Sequence, residues 1–230
     1  IVSNYIHKSA LNGLRTESST NVRIGRNRVY SNAQINIFVD RCSNVVLSNN
    51  LVFRAGGTAN VEGAQILDTI GAVVRNTTFF SNKWQGFVGV NSPRIRVRNN
   101  LVFRNGGRGL ELNPGCSNAS VKYNDSYGNG YACCGWTTTN SAFGGNYAGF
   151  AAAGTNDLQP SRNPLFLSFS PASTNFLRPG CGSPVIDVGD PADISNIPPG
   201  GGLRIDMGAY EGVAFGCLSD TNAPTISARS

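Results

Sequence analysis

The sequence predicts an all-β solenoid, and three observations carry that expectation: a repeat of about 24 residues, an alternation of apolar and polar positions inside each repeat, and a composition suited to turns. Six segments align on one asparagine: Asn4-Tyr-Ile-His7, Asn27-Arg-Val-Tyr30, Asn50-Leu-Val-Phe53, Asn76-Thr-Thr-Phe79, Asn100-Leu-Val-Phe103 and Asn124-Asp-Ser-Tyr127. Successive asparagines are 23, 23, 26, 24 and 24 residues apart, one coil per repeat.

Three residues after each asparagine stands a ring position, His7, Tyr30, Phe53, Phe79, Phe103 and Tyr127. Stacked at a strand spacing of about 4.8 Å, these side chains are expected to form a buried aromatic column. Apolar residues at Ile24, Leu47, Val73, Val97 and Val121, three before the asparagine, continue the period-two pattern of a half-buried strand. A second strand falls about ten residues after the asparagine, in Leu14–Thr16, Ile37–Val39, Phe87–Val90 and Leu110–Leu112. A buried asparagine in every coil is costly unless its amide is satisfied, so the asparagines are expected to bond one another and the turn backbone.

The composition agrees. Of 230 residues 28 are glycine, and only one is methionine. Glycine and asparagine tolerate the positive φ of tight turns. At 40% apolar residues the chain can build a core, but no uninterrupted apolar run is long enough to cross a membrane as a helix. A net charge of +6 suits nucleic acid, an anionic membrane surface or an acidic polysaccharide. Lysine is scarce beside arginine and no basic block interleaves with aromatics, which argues against nucleic acid. The six cysteines form no zinc pattern, and their even number in a loop-rich chain suits an oxidising, secreted setting.

After Asn124 the period breaks into glycine-rich loops. Asn163-Pro-Leu-Phe166, Asn175-Phe-Leu-Arg-Pro-Gly180, Gly182-Ser-Pro-Val-Ile-Asp187-Val-Gly-Asp-Pro191 and Ile205-Asp206-Met-Gly-Ala-Tyr210-Glu211 then follow. An open solenoid end exposes apolar rings, so Phe166, Phe176, Leu177, Val185, Ile186 and Tyr210 are expected to cover the last coil. Asp187, Asp206 and Glu211 are read as carboxylates that bond loop backbone. Cys181 and Cys217 flank this segment and are expected to pair, whereas Cys42 lies about 14 Å of stacking from Cys116 and is expected to be free. Of the glycosylation sequons only Asn118 is expected to face outward, because Asn76 and Asn124 belong to the ladder.

The repeat over roughly residues 1–130 resembles the right-handed parallel β-helix superfamily that contains pectate-lyase-like and related polysaccharide enzymes. The closing series is similar to the terminal segment of bacterial secreted β-helix proteins, with its "DPLF", "F.L.PGSPAID.GDP" and "D.GAYE" motifs; here Asn163 replaces the usual Asp and Cys181 interrupts the Pro-Gly-Ser element. The resemblance implies an all-β, right-handed, single-stranded parallel β-helix over 1–130, loop-rich coils and a cap over 131–216, and a tail over 217–230 that leads toward a further module. The opening on Ile1, without a signal-peptide pattern, suggests a mature or trimmed piece of something longer.

Such proteins place their chemistry on the outer face of a strand ladder. Outward positions here offer Arg96 and Arg98, then Lys122, with Arg23 and Arg75 nearby, and Lys8, Arg54 and Arg104 four residues after the asparagine. Arg54, Arg96, Arg98, Arg104 and Lys122 are the candidate contacts for an anionic polysaccharide, since guanidinium grips carboxylate bidentately. The opposite ladder offers Glu17, Asp40, Asp68, Asn91, Glu111 and Asn113, of which Glu111 is the candidate substrate contact.

In β-elimination an arginine or lysine abstracts the proton beside a uronate carboxylate, and calcium, the one candidate cofactor, would neutralise that group. No residue is assigned a catalytic or metal-binding role. Paired carboxylates for hydrolysis are not evident between neighbouring coils. The resulting expectation is a secreted or surface-attached protein that binds, and as a lyase cleaves, a uronate-type polysaccharide. Its rival is a non-catalytic spacer or adhesive module of a larger surface protein.

Overall fold

The computed structural model describes residues 1–57, 61–130, 145–149, 151, 154, 156–158, 161–193 and 204–210. The expected Cys217 partner, Cys133, Cys134, Glu211 and the 217–230 tail lie outside the described residues.

Seventeen short strands stack into three parallel sheets, and among the described residues there is no helix. The first sheet holds β1 (Tyr5–His7), β4 (Arg28–Tyr30), β7 (Leu51–Phe53), β10 (Thr78–Phe80), β13 (Leu101–Phe103) and β16 (Asp125–Tyr127). The second holds β2 (Leu14–Glu17), β5 (Ile37–Asp40), β8 (Ala64–Leu67), β11 (Phe87–Val90), β14 (Leu110–Leu112) and β17 (Tyr147–Gly149). The third holds β3 (Arg23–Gly25), β6 (Val46–Ser48), β9 (Val73–Arg75), β12 (Arg96–Arg98) and β15 (Ser120–Lys122). Each coil visits the three sheets in turn, and every strand pairs in register with the same strand of the next coil.

Corners between sheets are made by single residues in the left-handed region. Ser3, Arg26, Asn49, Asn76, Asn99 and Tyr123 have positive φ at one corner; Lys8, Ser31, Arg54, Ser81 and Arg104 have it at another. Gly and Asn accept this conformation most readily, which accounts for part of the unusual composition; here Ser, Arg, Lys and Tyr are held in it as well.

The asparagine ladder is present and its chemistry is explicit. Asn27 Oδ1 accepts from Asn4 N (2.9 Å) and Nδ2 (3.0 Å), and Asn50 Oδ1 accepts from the same two groups of Asn27. Asn124 Oδ1 does the same for Asn100. One oxygen thus satisfies a backbone and a side-chain donor of the coil before it, and the other amide hydrogen reaches a carbonyl such as Ile24 O from Asn50 Nδ2 (3.0 Å).

One rung corrects the repeat read from the sequence. The ladder position of the fourth coil is Thr77 and not Asn76: Asn50 N donates to Thr77 Oγ1, and Thr77 N donates to Asn100 Oδ1. The partners are therefore 27 and then 23 residues apart, and Phe80, paired with Phe53 and Phe103, takes the ring position assigned to Phe79. Phe79 instead lies in the lumen beside Val52 and Val102. The cause is extra chain in the third coil between Phe53 and Ala64, which also carries β8 past the position where a second strand was sought.

The ring residues differ from expectation in direction as well. The lumen core is built by the middle residues of the first sheet, among them Val29, Val52, Phe79 and Val102. His7, Tyr30, Phe53, Phe80, Phe103 and Tyr127 point out of the coil. They do stack, Tyr30 on Phe53 at 4.7 Å and 2° and Phe103 on Tyr127 at 5.7 Å and 11°. Their burial comes from the C-terminal segment: Phe176 meets Phe53 at 4.8 Å, Phe166 meets Phe103 at 5.5 Å, and Phe169 meets Phe80 at 5.6 Å.

The closing segment thus lies along the flank of the solenoid and not across its end. The aromatic face of the first sheet is the apolar surface it covers, and burying Phe53, Phe80, Phe103 and Phe176 stabilises the fold by roughly 1.5–3 kcal/mol each. At the end of the ladder Asp157 Oδ1 accepts from Asn124 N (2.6 Å) and Nδ2 (3.2 Å), standing in for the next asparagine.

Candidate functional site

The candidate cations separate onto two faces. Arg96 and Arg98 leave β12 on the outer face of the third sheet, in register with Ser120 and Lys122 above and Val73 and Arg75 below. Arg96 is exposed. Arg75, Arg98 and Lys122 form a cation column that the chain itself neutralises. Arg98 grips Asp193 with Nε on Oδ2 (2.8 Å) and Nη2 on Oδ1 (3.1 Å), Arg75 Nη1 reaches Oδ1 (3.0 Å), and Asn99 Nδ2 reaches Oδ2 (3.1 Å). Lys122 Nζ pairs with Asp190 Oδ2 at 2.8 Å. Burial pushes the Asp190 carboxyl up, but the Lys122 hydrogen bond, the Ala192 N–H and the charges of Lys122 and Arg98 outweigh it and hold the group below the ordinary carboxylate range.

Arg54 and Arg104 lie elsewhere, at the corner that follows the first sheet. They share it with Lys8, at positions that recur in the first, third and fifth coils, with Ser31 and Ser81 between. All three cations are exposed. Two coils separate neighbours, about 9.6 Å by strand spacing. The row borders the aromatic stack, and the Arg104 guanidinium lies over Phe103 (5.0 Å) and Phe169 (5.2 Å). Farther along the same face Arg28 lies over Tyr5 (5.4 Å) and Phe176 (5.3 Å), and His7 stacks on Tyr30 at 4.8 Å.

Glu111 sits on the second sheet, 6% exposed, held by Arg108 Nη1 (2.7 Å) and Gln85 Nε2 (2.7 Å). Glu62 is close enough for its charge to be felt. Burial, and to a smaller degree the Glu111 charge, push the Glu62 carboxyl up against a backbone N–H that lowers it. Its Oε2 is buried without a hydrogen-bond partner.

The remaining acidic positions bond neighbours. Glu17 binds Arg15 (2.8 Å) and Arg41, Asp40 binds Arg41 (2.9 Å), and Asp68 accepts from Asn91 Nδ2 (2.6 Å). Among the described residues no three acidic, histidine or cysteine side chains converge as a cation would need. Glu17, Asp40, Glu111, Asp190 and Asp193 are each held by arginine or lysine, so these five carboxylates do not offer themselves to calcium.

Several groups were not read from the sequence. A second ladder, Asn82, Asn105, Asn129 and Asn146, runs parallel to the first, with Asn105 Oδ1 accepting from Asn82 N (3.0 Å) and Nδ2 (2.9 Å). The signal was there: from Asn27, Asn100 and Asn124 the second asparagine stands five residues on, at Asn32, Asn105 and Asn129. Ala55 breaks that ladder, and Asn36 reaches in to bond Asn82 Oδ1 (3.1 Å) in its place. At the last coil Asp125 is 1% exposed; burial raises its carboxyl to about 7, helped by the charge of Asp157 and opposed by the Arg162 N–H and charge. Cys42 and Cys116 are buried free thiols, and burial pushes the Cys116 thiol up, so it is a poor nucleophile. Asn118 is exposed, whereas Asn76 and Asn124 are fully buried.

Comparison with known proteins follows the same architecture. No curated protein matches the chain by sequence. Among solved structures the chain is similar to the periplasmic alginate epimerase AlgG, crystallised as a double mutant, with 14% identity and a TM-score of 0.51 over 68% of this chain. It spans 38% of that protein's length. It is also similar to pectate lyase Pel9A, at 16% identity and a TM-score of 0.35, over 90% of this chain and 69% of that one. At these identities the first likeness shows the fold alone. The family profile described as "Right handed beta helix region" matches residues 1–126 and 58–163, and with parallel coils stacked through that span the chain belongs to this right-handed β-helix family.

Proposed function

We propose that this protein is a secreted or surface-attached β-helix that binds an anionic, uronate-type polysaccharide along the corner row Lys8, Arg54 and Arg104; Arg96, on the third sheet, lies off that row. One observation carries the reading: exposed cations recur at the same corner of alternate coils beside a stacked aromatic face. A sugar polymer offers carboxylates at a regular spacing, which guanidinium forks at a regular spacing can grip; the aromatic stack beside the row is covered by the closing segment and holds the corner in place. The alginate named for the similar epimerase structure is a polyuronate, in agreement with this ligand class. Elimination, with an arginine or lysine removing the proton beside the carboxylate, is the catalytic form of the same reading.

A second reading, a non-catalytic spacer or adhesive module, is favoured by Arg98 and Lys122, whose charges are spent on holding the chain's own Asp193 and Asp190.

The test is retention on immobilised polygalacturonate and alginate in a salt gradient. The wild type should be retained at low salt and released as screening sets in. An Arg54→Ala/Arg104→Ala double variant should elute earlier with an unchanged far-ultraviolet spectrum. Equal elution of the two proteins removes this row from the reading, and a wild type that flows through both resins at low salt ends the binding proposal. Release of ultraviolet-absorbing unsaturated ends from either polymer, with or without calcium, distinguishes lyase from binder.

A further inference from the structure

A cleft of about 330 Å³ opens where the last coil meets the C-terminal segment, lined by Tyr123, Asn156, Leu158, Val188, Pro191 and Arg204. Three features make it more than a packing gap.

The first is its aromatic wall. Tyr123 occupies the corner where preceding coils carry Ser3, Arg26, Asn49, Asn76 and Asn99, and it holds φ at 54°. A bulky side chain in the left-handed region costs on the order of 1–3 kcal/mol and persists only where the surroundings hold it. At this corner of the two preceding coils the asparagines bind the C-terminal segment directly, Asn76 through Asp206 O (3.3 Å) and Asn99 through Asp190 N (2.7 Å) and Asp193 Oδ2 (3.1 Å). Tyr123 does not continue that pattern, and beside it the segment leaves the cleft.

The second feature is charge. Arg204 lies over the Tyr123 ring at 5.6 Å, and Lys122 Nζ lies at the same distance from that ring. Arg204 is fixed in place, with Nε on Gly189 O (3.0 Å) and Nη2 on Val188 O (3.1 Å). The third is size and polarity. The volume lies at the small end of ligand clefts, room for a sugar ring or two, and the lining joins one aromatic face, apolar Leu158, Val188 and Pro191, the Asn156 amide and a cation.

We propose that this cleft is a subsite for a terminal hexuronate unit of the polysaccharide: its carboxylate faces Arg204, which the Tyr123 ring supports, its apolar ring face lies against Leu158, Val188 and Pro191, and Asn156 bonds a ring hydroxyl. The assignment rests on the polyuronate reading above, but uses residues remote from the corner row. It makes the end of a chain, and not only its length, a recognised feature.

The variant Tyr123→Asn tests it, because asparagine is what Asn49, Asn76 and Asn99 already place at this corner, and the left-handed conformation suits it. Binding of trigalacturonate and triguluronate is followed by calorimetry, with cellotriose as the neutral arm, on wild type, Tyr123→Asn and Arg204→Gln. Wild type should bind at least one acidic trisaccharide, both variants should lose affinity by tenfold or more, and cellotriose should bind far more weakly. Polymer retention through Arg54 and Arg104 should persist in both variants. Equal trisaccharide binding by wild type and Tyr123→Asn overturns the subsite, as does equal affinity for cellotriose, or a wild type that is retained by polymer yet binds no trisaccharide. A wild type retained by neither polymer fails the polyuronate reading itself.

Discussion

Replacing Asp193 by alanine tests how the C-terminal segment is held to the coils. This carboxylate, 6% exposed, receives donors from Arg75, Arg98 and Asn99, belonging to two successive coils. Removing it leaves two guanidinium groups beside each other with no direct ion-pair partner, the nearest described carboxylate, Asp190, being already paired with Lys122. Breaking a buried ion pair costs about 3–5 kcal/mol. The arginine side chains here are 21% and 23% exposed, so water recovers part of that loss and about 3 kcal/mol is the appropriate figure. With a urea m-value of about 3 kcal/mol/M for a chain of this size, the midpoint should fall by about 1 M. Asp193→Asn, which keeps one acceptor oxygen, should fall roughly half as far. Unfolding followed by tyrosine and tryptophan fluorescence reports the shift, and the freed arginines should raise the salt needed to elute the variant from a polyanion resin. A midpoint that stays where it was in Asp193→Ala would refute the role of this carboxylate as the clamp.

Two further outcomes are expected. Asp125 has a folded-state pKa near 7, above its unfolded value of 3.8, so folding favours the protonated acid. Its contribution is fully present below about pH 4 and is lost as pH rises through 7, an effect of at most about 4 kcal/mol; Asp125→Asn should therefore be stabilising at pH 8, neutral at pH 4, and should flatten the thermal stability profile between, which melting curves across that range will check. Asn82→Ala removes an amide that accepts from Ala55 N and Asn36 Nδ2 and donates to Val52 O and Asn105 Oδ1, and should destabilise by about 2–4 kcal/mol, whereas Asn4→Ala at the exposed first rung should cost under about 1 kcal/mol; equal costs on chemical denaturation would contradict the ladder's role.

The coil repeat was legible because it is local and redundant. Asn27 and Asn100 each recur one coil later, as Asn50 and Asn124, two residues before the lumen positions Val29, Val52, Val102 and Ser126, so most coils state the same pairing again. The single misplaced rung, Asn76 for Thr77, arose where a longer third coil brought two polar residues together; only the partners across the stack distinguish a threonine that accepts from Asn50 from an asparagine that turns outward to Asp206 O. Reading Asp157 as the ladder's last acceptor was out of reach for the same reason, since it stands 33 residues after Asn124 and the chain between does not repeat.

The candidate cations show the complementary limit. That Arg54, Arg98, Arg104 and Lys122 leave the coils outward follows from their places in the repeat. Whether each meets solvent or a carboxylate does not. Asp193 lies 95 residues from Arg98, and nothing in either segment alone announces the contact. Likewise the aromatic positions declared a stack in the periodicity, but the side of the sheet on which it would be buried depended on Phe166, Phe169 and Phe176. Period-two alternation and obligatory backbone hydrogen bonding act between neighbouring residues and neighbouring coils, so the linear order of residues was enough to establish an asparagine-laddered β-helix. The course of the closing segment, the charges it neutralises and the cleft it leaves beside Tyr123 arise from packing between stretches distant in the chain, where one complementary surface is selected among many, and three-dimensional contact alone makes that selection.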